Sequence, residues 1–284
     1  MTLIAVLLAL LLEHFVDAVR DWRRLDWFDR YRTVVWNVLE GRPFRDGPGG
    51  VALVVGGVTL AVWLAWALLD AAGWLLSFPF AVLVLVYTFG PGDLNQDVES
   101  YLDAARRGDA AAARQAAAAI IEADPPADPV QMAVAVRRAI FVQLHRRLLG
   151  VLFWFLVLGP VGAALYRAAC LARSGGGALG TGYAEAAAWL GRILDWPGTR
   201  LEVAAFALAG SFVDTVSRVR SLETWLTREG DALVADAGAG ALEPETAGVE
   251  EEWEAVAGAL ALARRAFLVW LAAIALLTIA GWVG

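Results

Sequence analysis

The sequence predicts an all-α, polytopic helical membrane protein with small cytoplasmic helical lobes. Of its 284 residues, 59% are apolar and 19% are charged, whereas an average soluble domain is roughly 45–50% apolar and about 25% charged. The apolar residues are concentrated in stretches with almost no charge that approach or exceed the roughly 20 residues needed to cross a bilayer as a helix. Outside these stretches the apolar positions follow helical spacing, and no strand pattern of any length is present.

Charge and composition exclude several kinds of chemistry. All 23 basic residues are Arg, and the chain contains no Lys, which excludes a Walker A loop and a Schiff-base lysine. A net charge of -7 gives no pull toward nucleic acid, so nucleic acid is not an expected partner. The one cysteine, Cys170, and the two histidines, His14 and His145, do not have metal-ligand spacing. No metal site is therefore predicted.

Five stretches are predicted to span the membrane, within a single domain formed by residues 1–284. The first ends in polar residues from Glu13 onward and lacks a basic leader and a cleavage site, so we interpret it as a retained helix rather than a signal peptide. Several Trp residues fall near span ends, as is typical of bilayer interfaces. The predicted spans lie near residues 2–19, 47–69, 71–92, 148–166 and 266–284.

Arginine placement predicts the orientation of these spans. Residues 20–46 and 93–147 are rich in Arg, which places both in the cytoplasm and the N-terminus outside. The next span would then leave the Arg residues that follow it on the outer side. We therefore expect a re-entrant or returning element within residues 175–213, which would keep residues 214–265 cytoplasmic. The expected location is the bacterial inner membrane, with several passes.

Shorter signals describe the cytoplasmic helices. The helical pattern from Asp97 to Ile121 is broken at Gly108, and Asp109 is predicted to N-cap the second half. Pro197 is predicted to end the helix that precedes it. Residues 237–245, in which Ala and Gly alternate, are interpreted as a flexible link.

Polar residues near the span ends predict a ligand pocket. Two carboxylates and two guanidinium groups fall within a sector of roughly 60° on one helix, namely those of Glu13, Asp17, Arg20 and Arg24. This face fits either an interfacial helix with ion pairs or an anion site. A compact group, ILDWPGTRL, follows later in the chain, and its Asp195 and Arg200 could be purely structural or could line the same site. The candidate ligand-binding residues are Glu13, His14, Asp17, Arg20, Tyr166, Arg167, Asp195 and Arg200.

Four segments carry a resemblance to a known family. They are MTLIAVLLALLLEHF at the start, RRLLGVLFWFLVLGPVGAALYRA at 146–168, LDWPGTRL at 194–201 and ALLTIAGWVG at the end. Together they resemble the AmpE family of inner-membrane proteins. This resemblance implies a regulatory or sensory protein linked to cell-wall (peptidoglycan) recycling, β-lactamase induction and thereby antibiotic resistance.

A more distant resemblance extends to the CobD/CbiB membrane proteins of cobalamin synthesis. It implies an enzyme that uses ATP to attach aminopropanol to a corrinoid carboxylate, acting here on an anionic substrate. The matching residues are Phe153, Trp154, Gly159, Gly162, Ala163, Tyr166, Arg167, Asp195, Trp196, Pro197, Arg200 and Leu201.

One segment departs from the CobD/CbiB pattern. Those proteins carry a Glu/Asn-rich helix of ESxAEN type before the FW pair, whereas Val136 to Arg147, VRRAIFVQLHRR, contains no carboxylate. The sequence therefore favours the regulatory interpretation over the enzyme and leaves the ligand open, as an anionic small molecule or a nucleotide. The lipid bilayer and a cytoplasmic or membrane protein are the other expected partners.

Overall fold

A computed structural model describes residues 2–15, 25–90, 92–174, 179–219, 225, 227–246 and 252–281, although not the side chains of residues 14, 15, 243–246 and 252. These residues contain no strand, which confirms the predicted all-α class. In chain order the helices are α1 (Thr2–Phe15), α2 (Asp26–Val38), α3 (Pro48–Ala72), α4 (Trp74–Thr88), α5 (Leu94–Arg106), α6 (Ala110–Ile121), α7 (Pro129–Leu144), a π-helical turn (His145–Leu149), α8 (Gly150–Ser174), α9 (Thr181–Ala209), α10 (Phe212–Arg218), α11 (Gly230–Thr246) and α12 (Glu252–Ile279).

Three helical stretches among the described residues are long and apolar enough to cross a membrane. They are Pro48–Ala72, Pro129–Ser174 and Trp253–Ile279. The second joins α7, the π turn and α8 without interruption. Helix α4, which lies where the span near residues 71–92 is predicted, is a shorter apolar helix of 15 residues. The composition and length of these helices agree with a membrane protein.

The chain forms two compact units. The first consists of Met1–Pro91, Gly150–Asp195 and Leu277–Gly284, and the second of Gly92–Leu149 and Trp196–Leu276. Helix α9 therefore contributes its beginning to the first unit and the rest to the second.

The first unit is built around the packing of α3 and α4 against α8. Its core places Val51 and Val55 of α3 against small residues, Ala168 and Ala172, of α8. These alanines are four residues apart on one face of α8, which lets the helices approach closely. Within α8, Gly159 adopts a left-handed φ of 63° and precedes Pro160, so the helix is kinked there.

In the second unit, α5 packs against α6, α7 packs against α6 and α11, and α10 packs against α11. Aspartate side chains cap the N-termini of α5, α6 and α7. The Asp109 carboxylate accepts a hydrogen bond from the backbone N–H of Ala112 at 3.0 Å, which confirms the predicted N-cap of α6. The Asp128 carboxylate caps α7 in the same way.

Two local expectations are wrong. Helix α9 continues through Pro197 instead of ending there, so the proline lies inside a helix of 29 residues. Both the Thr199 hydroxyl and the Arg200 guanidinium donate to the carbonyl of Trp196. The stretch 237–245, interpreted as a flexible link, lies inside α11, where its glycines allow close packing.

Candidate functional site

The π-helical turn His145–Leu149 is the centre of a polar cluster in the second unit. A π turn inserts an extra residue into a helix and is frequent at functional sites. Here three consecutive side chains, His145, Arg146 and Arg147, bond to carboxylates of three different helices. The partners are Glu202 of α9, Asp231 of α11 and Asp97 of α5.

The first of these pairs is fully buried. Nδ1 of His145 lies 2.8 Å from Oε2 of Glu202, and the two side chains are 1% and 0% exposed. Gly198 makes space for the imidazole, since a Cβ atom at that position would lie 2.9 Å from Cε1 of His145. If Nδ1 donates its proton to Glu202, the neutral ring carries its lone pair on Nε2. The pair therefore has the arrangement of a general base and the carboxylate that orients it.

The two arginines of the turn, Arg146 and Arg147, bond to side chains of other residues. Arg146 forms a two-point contact with the carboxylate of Asp231. Arg147 is 8% exposed and donates to Asp97 Oδ2 at 2.6 Å and to Gln143 Oε1 at 2.9 Å. Such charge-assisted bonds are stronger than neutral ones and fix side-chain positions. Contacts to carboxylates of three helices therefore fix the side chains of the turn in position.

Arg200 is also bound within the second unit. Its guanidinium donates to the backbone carbonyls of Trp225 and Arg228 at 3.1 and 2.8 Å. It also lies 5.0 Å from the centre of the Trp196 ring. Burial lowers the pKa of this guanidinium from its usual value. In this position Arg200 ties α9 to the backbone that precedes α11.

The first unit contains a second buried polar group around Asp195. The hydroxyl of Tyr166 donates to Asp195 Oδ1 at 2.7 Å, and Arg173 donates to Oδ2 at 3.1 Å. Gly150 makes room for the ring, because a Cβ there would lie 2.3 Å from Cζ of Tyr166. The structure thus brings together two of the predicted site residues, Tyr166 and Asp195, and adds Arg173, which was not predicted.

A cavity of about 820 Å³ lies within the first unit, and Arg167 is one of its few polar lining residues. The guanidinium of Arg167 donates to the backbone carbonyl of Thr88. Most of the lining is apolar, with Phe28 of α2 and Leu83 of α4 among its residues. Its volume is in the range of small-molecule sites.

A family model described as "CobD/Cbib protein" matches residues 6–248 of the 284. The chain belongs to the CobD/CbiB family. The match includes the π turn and the LDWPGTRL segment of α9, so both polar groups are part of the family region. No curated protein and no solved structure matches the chain. The comparisons give no support to the AmpE resemblance.

The ligand-binding role of the predicted site residues near the amino terminus remains a prediction. Glu13 lies in α1 and is half-buried. The structure does not describe the side chain of His14. Asp17 and Arg20 lie wholly outside the described residues. The structure thus leaves the amino-terminal part of the predicted pocket as an expectation.

His145 and Glu202 were not among the predicted site residues. His145 was considered only as a metal ligand, and Glu202 follows the LDWPGTRL segment directly. A sequence signal existed, because a carboxylate and a histidine each adjoin a family segment. Their pairing joins residues 57 positions apart, which helical periodicity does not reveal.

The CobD/CbiB resemblance described above implies the use of ATP, which normally acts with magnesium held by carboxylates. The described residues contain no group of three or more His, Cys, Asp or Glu side chains that could hold a metal ion. The carboxylates at the π turn, Asp97, Asp231 and Glu202, are each bonded to an Arg or His side chain. They do not fit a magnesium site, and we assign no step to a metal.

Proposed function

We propose that this CobD/CbiB-family protein is a multi-pass inner-membrane enzyme that joins an amine to a carboxylate of an anionic substrate. Two kinds of observation support the proposal. The family region includes both buried polar groups, and the family chemistry is amide formation at a corrinoid carboxylate. The observation that carries it is the buried His145–Glu202 pair.

Amide formation requires a neutral amine, and the His145–Glu202 pair suits its deprotonation. In the proposed reaction the substrate carboxylate first bonds to the terminal phosphate of ATP as ADP leaves, and this phosphate takes the carboxylate oxygen with it when the amine attacks. The amine nitrogen then bonds to the carbonyl carbon and releases a proton. Nε2 of His145 would accept that proton, and Glu202 would stabilise the imidazolium through Nδ1. Perturbed or buried titratable pairs of this kind are enriched at functional sites.

Turnover by purified protein tests the proposal. The full chain in detergent is supplied with ATP, magnesium, aminopropanol and a corrinoid with a free carboxylate, and the amide product is followed by mass spectrometry. We expect amide formation, a kcat about 10²–10⁴ lower in His145→Gln and a smaller loss in Glu202→Gln, with KM little changed. Arg264→Gln is the matched control, since Arg264 bonds to Glu99 at an exposed position.

An absence of product with wild-type protein, or equal rates in wild type and His145→Gln, would contradict the enzyme proposal. The second candidate is an AmpE-type regulatory protein, which senses or relays the state of the cell wall. It is favoured by one observation, the lack of any carboxylate in Val136 to Arg147. Ligand binding without turnover would support this candidate.

A further inference from the structure

A pocket of about 320 Å³ in the second unit is lined by three arginines. Arg137 and Arg138 come from α7 and Arg218 from α10. The rest of the lining is apolar and comes from α7 and α11, namely Val134, Phe141, Ala239 and Leu242. The pocket therefore has a cationic part and an apolar part.

Helix geometry explains why these residues meet. Val134, the two arginines and Phe141 are three to four residues apart, so they occupy one face of α7. Two glycines of α11 allow the neighbouring helices to come close. A Cβ at Gly238 would lie 2.5 Å from Cδ2 of Phe141, and one at Gly240 would lie 2.8 Å from Cγ of Arg218. These positions require glycine because a side chain there would push the pocket walls apart.

The arrangement concentrates positive charge. Arg138 bonds to Asp236 at 2.8 Å, and the same carboxylate also bonds to Arg228. The single negative charge of Asp236 thus pairs with two positively charged guanidinium groups. Neither contact involves Arg137, which adds a further guanidinium to the pocket. Asp236 also fixes Arg138, so part of the pocket is pre-organised before any ligand binds.

We infer that this pocket binds the phosphate group of an anionic ligand. Guanidinium groups match the geometry of phosphate oxygens and can each donate two hydrogen bonds. Phe141 and Leu242 provide an apolar wall for the part of the ligand next to the phosphate. The phosphate could belong to a soluble phosphomonoester or to the headgroup of an anionic phospholipid. This site does not depend on the proposed amide-forming activity.

The test measures binding to the full chain in a neutral detergent. Titration calorimetry with inorganic phosphate probes a soluble ligand, and native mass spectrometry with phosphatidylglycerol against phosphatidylcholine probes a headgroup. The pocket variants are Arg137→Gln and Arg218→Gln. The control is Arg114→Gln, because Arg114 pairs with Asp124 at an exposed position. Circular dichroism and thermal unfolding verify that each variant is folded.

We expect at least a tenfold loss of affinity in each pocket variant, because each removes charge-assisted hydrogen bonds to the phosphate. The control keeps wild-type affinity. Loss of phosphate binding identifies a soluble ligand, and loss of phosphatidylglycerol binding alone identifies a headgroup. If wild type binds neither probe, or if the folded pocket variants bind as the control does, the inference is overturned.

Discussion

Removal of the Glu202 carboxylate is predicted to destabilise the second unit strongly. Glu202→Ala leaves His145 buried without the acceptor that lies 2.8 Å from its Nδ1. A buried donor without its acceptor costs roughly 1–3 kcal/mol, and the cavity left by the truncated side chain adds roughly 2 kcal/mol, which together give roughly 3–5 kcal/mol. In a chain of this size each kcal/mol corresponds to roughly 2–4 °C in Tm, so we expect a decrease of roughly 6–20 °C. Thermal unfolding in detergent, followed by circular dichroism, measures it.

Two further variants distinguish loss of the buried hydrogen bond from the loss of any carboxylate. Glu202→Gln keeps an oxygen that accepts the Nδ1 proton, so its cost should be only about 1–2 kcal/mol. Glu99→Ala removes an exposed carboxylate that bonds to Arg264 at 2.7 Å, for which we expect at most about 1 kcal/mol. The reasoning is refuted if Glu202→Ala lowers Tm no further than Glu99→Ala does.

Gly150→Ala should destabilise the first unit by roughly 1–3 kcal/mol, because its Cβ would overlap the Tyr166 ring. Gly56→Ala, in the middle of α3 where a Cβ would meet no atom within 4 Å, should be neutral or slightly stabilising. Equal changes in Tm for the two variants would contradict this account. Asp46→Ala should cost roughly 0.5–2 kcal/mol, because Asp46 Oδ1 accepts the backbone N–H of Tyr183 in the first turn of α9 at 2.6 Å. Asp46→Asn should recover most of that stability, and a similar Tm for both Asp46 variants would argue against a capping role.

Local signals in the sequence predicted local structure well. Asp109 precedes a run of alanines, and a short carboxylate in that place satisfies the free N–H groups of a new helix. The structure contains this contact to Ala112. The all-α class followed similarly from apolar stretches and helical spacing. Both signals act over a few residues, which is the range that a single sequence reveals.

Two local predictions are wrong, and a tertiary contact explains the one at the glycines of α11. Proline usually ends a helix because it removes a hydrogen bond and crowds the preceding turn. At Pro197 the helix continues, and the Thr199 hydroxyl and Arg200 guanidinium donate to the Trp196 carbonyl. The glycines of α11 are required by close packing rather than by flexibility, as Gly238 against Phe141 shows. The packing of Gly238 against Phe141 joins residues 97 positions apart and is not encoded by neighbouring residues in the sequence.

The polar cluster at the π turn was not predicted because its contacts join residues far apart in the chain. Charge pairing along one helix links residues three or four positions apart, which directed attention to Glu13, Asp17 and Arg20. The pairs at the π turn join residues far apart in the chain: His145 to Glu202, Arg146 to Asp231 and Arg147 to Asp97 are separated by 57, 85 and 50 positions. Only the fold brings these carboxylates to the turn.

The absence of carboxylates from Val136 to Arg147 therefore has a different meaning in the folded protein. In the sequence alone this absence argued against enzyme activity. In the structure the last three residues of the segment are bonded to three carboxylates from other helices. Because each carboxylate is engaged by a basic side chain, the cluster suits proton transfer and side-chain orientation better than metal binding. The difference from the ESxAEN-type segment thus predicts a change in how the proposed reaction is assisted, and the His145→Gln experiment measures that assistance directly.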